Sequence, residues 1–102
     1  MPIKTSYKYM DKEVEIRFDK PNNQSLAIIN GDIIGRCSFT IKDNKWYINH
    51  TVVKSEYGGR GIAKQLVSII VDEARKQGIK IVPICSYAQK MLLGKEEYQD
   101  IL

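Results

Sequence analysis

Three groups of residues in this sequence are of types that do chemistry. The first is the run Glu56-Tyr57-Gly58-Gly59-Arg60-Gly61-Ile62-Ala63, in which glycines surround an arginine just ahead of an apolar periodic segment. Glycine lets the chain take positive φ and lets a ligand approach the backbone. A helix start offers unpaired N–H groups and the positive end of a dipole to an anion. On residue types alone the run is either a phosphate cradle or a plain strand-to-helix turn. The second is Cys85, at the end of the apolar segment Ile79–Cys85 and ahead of Ser86-Tyr87-Ala88-Gln89, which has the pattern of a capping box with Ser86 as its cap. A thiolate just before a helix N-terminus is favoured by the dipole, so Cys85 reads as a nucleophile or as a small core residue. The third is His50, the sole histidine. Its ordinary pKa suits a base at neutral pH, although a packed strand histidine has the same signature.

The elements that must position these groups follow from periodicity. Residues 1–12 are weakly patterned and are expected to be a loose lead-in. Glu13–Phe18 alternates as a half-buried strand, Ser25–Ile29 is a second, and Asn30-Gly31 is a strong hairpin signal. Ile33–Ile41 returns, with Gly35 as a bulge candidate and Cys37 in the core. Trp46–Val53 is a fourth strand, expected to put Trp46, Ile48, His50 and Val52 on one face. Ile62, Leu66, Ile70 and Ala74 then recur every four residues, an amphipathic helix stopped by Gly78. Ile79–Cys85 is a fifth strand, reached by a connection long enough for a right-handed parallel crossover. A short helix starts after Cys85 and ends by Gly94. The fold class is α/β (α+β): a four-stranded antiparallel meander, a helix, a parallel fifth strand and a short C-terminal helix. In such sheets ligands favour the carboxyl ends of the parallel strands, where the glycine run and Cys85 both fall.

Composition narrows the function classes. The chain has 102 residues, 43% of them hydrophobic, which fits one small globular domain with a real core. No window is apolar enough to span a bilayer, and the N-terminal residues lack the apolar segment of a signal peptide. A cytoplasmic, reducing setting is the expectation, with two cysteines that do not form a disulfide scaffold. Those cysteines and one histidine do not make a structural metal site. The net charge of +4 is scattered and carries no aromatic-interleaved basic run, so no nucleic-acid or membrane partner is expected.

The glycine run, placed between a β-branched strand and an amphipathic helix, resembles the acetyl-CoA loop of the GNAT superfamily of N-acetyltransferases. That loop is written [Q/R]-x-x-G-x-[G/A]; Gly61 and Ala63 match, while Gly58 stands where Gln or Arg is common. With His50-Thr51 before the loop and Pro83-Ile84-Cys85-Ser86-Tyr87 after it, the chain is similar to the short, single-domain YjdJ-type branch, over roughly residues 13–93. The resemblance implies that acetyl-CoA is the cosubstrate, with its pyrophosphate on Gly58, Gly59, Arg60, Gly61, Ile62 and Ala63. It implies a pantetheine arm between the fourth and fifth strands, and backbone amides near Val52 and Val53 that polarise the thioester carbonyl. It also implies Cys85 as a catalytic thiol or a wall of the thioester pocket, and Tyr87 as a proton donor to the departing CoA thiolate. His50 would be a base, and Ser86 and Lys90 are placed near the cosubstrate. The implied activity is acetyl transfer to an amine or protein acceptor that the sequence does not name, in an oligomeric state that it does not name. The alternatives are a CoA-binding module without efficient catalysis and a protein-interaction domain with an unused loop.

Overall fold

The computed structural model describes residues 4–9 and 12–102, with side chains from residue 14 onward. Its centre is one six-stranded sheet in sequence order. The strands are β1 (Lys4–Tyr9), β2 (Lys12–Asp19), β3 (Gln24–Ile29), β4 (Asp32–Lys42), β5 (Lys45–Val53) and β6 (Lys80–Pro83). Neighbours from β1 to β5 are antiparallel, and β6 lies parallel to β5 after the crossover helix α1 (Ile62–Gln77). A short helix α2 (Ser86–Leu92) and a 3-10 turn at Glu96–Ile101 close the chain.

The meander is therefore one strand longer than periodicity predicts. Within the expected lead-in at 1–12, Lys4–Tyr9 pairs with β2, Lys4 opposite Arg17 and Tyr9 opposite Lys12. Thr and Tyr give this segment strand propensity. What fixes it is the open edge of β2, a tertiary partner that no local pattern displays. Residues 1–3, 10 and 11 of that stretch lie outside the described residues. The hairpins form as their turn chemistry dictates: Asn30 and Gly31 take φ of 50° and 82°, and Asp43 and Asn44 take 52° and 60°.

Helix α1 lies over one face of the sheet. Ile62, Leu66, Val67, Ile69, Ile70, Val71 and Ala74 are buried along it. Gly78, at φ 68°, ends the helix, and the Ile79 amide closes the last turn on the Ala74 carbonyl at 2.9 Å. Beneath the helix, Phe18, Phe39 and Trp46 stack side by side, the closest pair with ring centroids 4.5 Å apart. The buried Ser25 hydroxyl donates to the Leu66 carbonyl at 2.8 Å, pinning β3 to the helix. Gly35 permits the close approach of β4 and α1: a Cβ there would stand 3.1 Å from the Val52 carbonyl oxygen and 3.3 Å from a Leu66 methyl. The bulge expected at Gly35 lies next to it, where the β3–β4 register shifts between Ala27 and Ile28. On the opposite face Arg36, Thr40, His50 and Val52 are exposed.

Leu66 is 0% exposed and touches both layers. Leu66→Ala removes a buried isobutyl group at the helix–sheet junction and is expected to cost about 3 kcal/mol of stability, read from urea denaturation.

Candidate active site

The site is made by the parting of β5 from β6. The two strands pair only from Lys45–Lys80 to Ile48–Pro83. The next two amides, Ile84 and Cys85, both turn onto the single Ile48 carbonyl, at 2.9 and 3.0 Å. Among the described residues β5 has no strand neighbour on that side from Asn49 onward, and a wedge opens between the strands.

A bulge aims the residues of β5 along this wedge. Phe39 faces Ile48 while Ser38 faces His50, so Asn49 is an extra residue. The side-chain alternation flips at that point. Thr51 then lies on the α1 face with Trp46 and Ile48, touching the buried Cys37. His50 and Val52 go to the open face, both exposed. This corrects the expected face of β5, on which His50 and Val52 would have joined Trp46 and Ile48. A bulge adds a residue without changing composition, so strict alternation carries the wrong parity past it. The same flip settles which amides face the wedge. Lys54 donates to the Ile34 carbonyl of β4 at 2.8 Å. Amides alternate sides along a strand, so Val53 and Thr51 direct theirs into the gap, whereas that of Val52 points to β4.

At the far end of β5 the chain makes a 3-10 turn, Ser55–Tyr57, and enters the glycine run. Gly59 and Gly61 have φ of 71° and 78°, values costly for a side-chain-bearing residue. Gly58 is extended, at φ −67° and ψ 156°, so its place in the loop does not depend on glycine's freedom. Gly61 caps α1 with no side chain to satisfy the first-turn amides. Those amides open on a cleft of about 130 Å³ lined by Val53, Tyr57, Gly58, Gly59, Arg60, Gly61, Ile62, Ala63 and Tyr87. A depression of about 260 Å³ exists at the other end of α1, beside Arg75 and Asp100, and has no such amides. The structure thus brings Val53, the whole glycine run and Tyr87 together. Ser86 and Lys90 are exposed on α2 and do not line the cleft. Tyr57, which lines it and packs on the core, received no role from the sequence, although it stands inside the loop motif.

Cys85 lies at the mouth of the wedge, half-buried, with φ −70° and ψ 148°. It is the N-cap of α2, and its Sγ accepts from the Ala88 amide at 3.3 Å. The cap expected at Ser86 is displaced by one residue, because the backbone is still extended at Cys85 and helical from Ser86. The Gln89 amide side chain then goes to the Pro83 carbonyl, at 3.3 Å, rather than closing a box. Thr51 Oγ1 stands 3.3 Å from Cys85 Sγ and 3.4 Å from Cys37 Sγ, linking the two thiols through one hydroxyl. Strand alternation sends His50 away from this group, so the pairing of His50 with Cys85 does not form. Burial, then the neighbouring Tyr98, raises the Tyr87 phenol above its usual value and keeps it protonated.

Burial pushes the Cys37 thiol up to about 12 from 9.0, partly opposed by its bond to Thr51. A raised acid stabilises the fold below its unfolded value, and that stability is lost as pH rises through the folded value. Urea midpoints are therefore expected to fall between pH 9 and about 12. Cys37→Ala, titrated in parallel, is expected to flatten that fall.

Comparison with known proteins agrees with this geometry. A family model described as GCN5-related N-acetyl-transferase matches residues 24–101. A GCN5-like protein from Staphylococcus aureus, solved by NMR, is 31% identical, with a TM-score of 0.63 over 78% of this chain and 79% of that one. N-acetylglutamate synthase from Neisseria gonorrhoeae, crystallised with coenzyme A and N-acetyl-glutamate, shares the fold at 18% identity and TM-score 0.58, over 68% of this chain and 17% of its own. A Clostridium acetobutylicum structure determined with acetyl-CoA does so at 22% identity and TM-score 0.55, over 78% of this chain and 60% of its own. No curated protein sequence matches significantly. With a strand wedge, a glycine loop opening the crossover helix, and a family match over most of its length, the chain belongs to the GCN5-related N-acetyltransferase family.

Proposed function

We propose that this protein binds acetyl-CoA and transfers its acetyl group to an amine, within the short single-domain branch of the family. The observation that carries the reading is the uncapped start of α1 at the end of the β5–β6 wedge. Its amides and the backbone of Gly58–Gly61 would take the diphosphate, with Arg60 beside them. Bound acetyl-CoA supplies an acetyl group activated as a thioester. The Thr51 and Val53 amides face the gap and would hold pantetheine and the thioester oxygen, where negative charge develops on attack. Tyr87 keeps its proton at neutral pH and would give it to the departing sulfur. Cys85 would act either as a wall of this pocket or as a nucleophile. In the second case its thiolate bonds to the acetyl carbon, the bond to the CoA sulfur breaks, and the amine later takes the acetyl and restores the thiol. A reducing, cytoplasmic setting goes with this role, since Cys85 must remain a free thiol.

The position of His50 favours keeping a second reading, a CoA-binding module without efficient turnover. The sole histidine points to the opposite face from Thr51 and Cys85, so no imidazole stands beside the thiol. Thiol release with a panel of amines separates the two readings.

Calorimetric titration with CoA tests the site directly. Wild-type protein is expected to bind, and folded Gly61→Val is expected to bind at least about tenfold more weakly, because valine cannot hold the φ of 78° that aims the loop. Unchanged affinity in that variant would falsify the cradle. Incubation with acetyl-CoA and no acceptor, followed by mass spectrometry, reads the covalent step. The expected result is an acetyl adduct absent from Cys85→Ala; no adduct alongside normal turnover assigns Cys85 to the pocket wall.

A further inference from the structure

We infer that Thr51 is a positioning residue for Cys85: the buried Cys37 thiol fills an acceptor site of the Thr51 hydroxyl and commits its proton to Cys85 Sγ. This rests on reading Cys85 as the reactive thiol, and it deepens that reading.

The argument is one of donors and acceptors. A hydroxyl has one proton to give and lone pairs to accept with. Thr51 Oγ1 lies between two sulfurs, 3.4 Å from Cys37 and 3.3 Å from Cys85. The chain can run from Cys37 through Thr51 to Cys85, or the reverse. Cys37 is 0% exposed, at the helix–sheet interface. A thiolate there would lose its hydration with no cation beside it among the described residues, so Cys37 keeps its proton. Cys85 is placed differently: half-buried at the wedge, it already accepts the Ala88 amide. Once Cys85 is ionised it has no proton to give, and only one direction survives: Cys37 S–H to Thr51, Thr51 O–H to Cys85. The thiolate then receives two donors, one of them a hydroxyl whose direction is fixed from behind. Bonds to an ionised acceptor are about twice as strong as neutral ones.

The surroundings do not compete for this role. Tyr87 on α2 stays protonated through neutral pH. His50 on β5 turns to the other face, and Arg60 lines the neighbouring loop cleft. The bulge at Asn49 is what makes the arrangement possible, since without it the Thr51 hydroxyl would face away from both sulfurs.

The test is alkylation of the ligand-free full chain by iodoacetamide from about pH 5 to about pH 10, with adducts located by peptide mass spectrometry. Cys85 is expected to react and the buried Cys37 to remain unmodified. Thr51→Val keeps the shape and removes the hydroxyl. It is expected to raise the pH inflection of Cys85 by about one unit, roughly a tenfold loss of reactivity at neutral pH. Thr51→Ser is expected to follow the wild type. Cys37→Ala, which removes only the donor behind Thr51, is expected to shift the inflection in the same direction, and it decides the matter alone if Thr51→Val does not fold. Superimposed profiles for wild type and Cys37→Ala overturn the inference, as does a Cys85 that does not alkylate. A purely structural Thr51 would change unfolding midpoints and leave the inflection in place. Because no CoA is present, failure here is distinct from failure of the CoA titration.

Discussion

Everything at the candidate site depends on one backbone shortage. The amides of Ile84 and Cys85 both turn onto the single Ile48 carbonyl. The parallel ladder therefore stops after four rungs. Its end converts β5 from a central strand into one with a free side. That free side is the only reason Thr51 and Val53 have amides to offer a ligand. The rest of the molecule keeps the parting narrow and fixed. Helix α1 contacts every strand from β2 to β6. The stacked Phe18, Phe39 and Trp46 fill the layer below the paired end.

The bulge at Asn49 is the second constraint, and it works with the first. A regular β5 would present Val52 and His50 to the helix face, and the hydroxyl of Thr51 would face the exposed side. One inserted residue exchanges these sets. An apolar environment is thereby given a threonine and two thiols that satisfy one another, while the histidine is left in solvent. A bulge beside a ligand site re-aims side chains without altering how the remaining strand pairs.

Much of this was legible in the sequence. The 3.6-residue period fixed α1 to within its ends, Gly78 marked its stop, and Asn30-Gly31 marked the hairpin. The glycine run and Cys85 were rightly placed at one end of the sheet, since crossover topology leaves little choice. What was not legible came from tertiary partners. Strand β1 owes its existence to the edge of β2. The parity change at Asn49 lies in the β4–β5 register, and Asn49 itself carries no mark of it. Cys85 goes unmarked as the cap because sulfur, a weak acceptor, is seldom counted among capping groups. His50 and Cys85 were close in the expected pattern for the same reason that they are apart in the fold: the pattern had no place for an extra residue.

The capping role of Cys85 has a consequence for the first turn of α2. The sulfur that would carry an acyl group is also the group that ties down the Ala88 amide. A thioester sulfur has no charge and little basicity, so acylation weakens the only side-chain cap on a seven-residue helix. Tyr87 sits in that same turn and walls the loop cleft. Acylation at that one atom would thus be felt in the order of a helix end. Whatever contacts α2 could distinguish a loaded chain from an empty one without touching the acyl group.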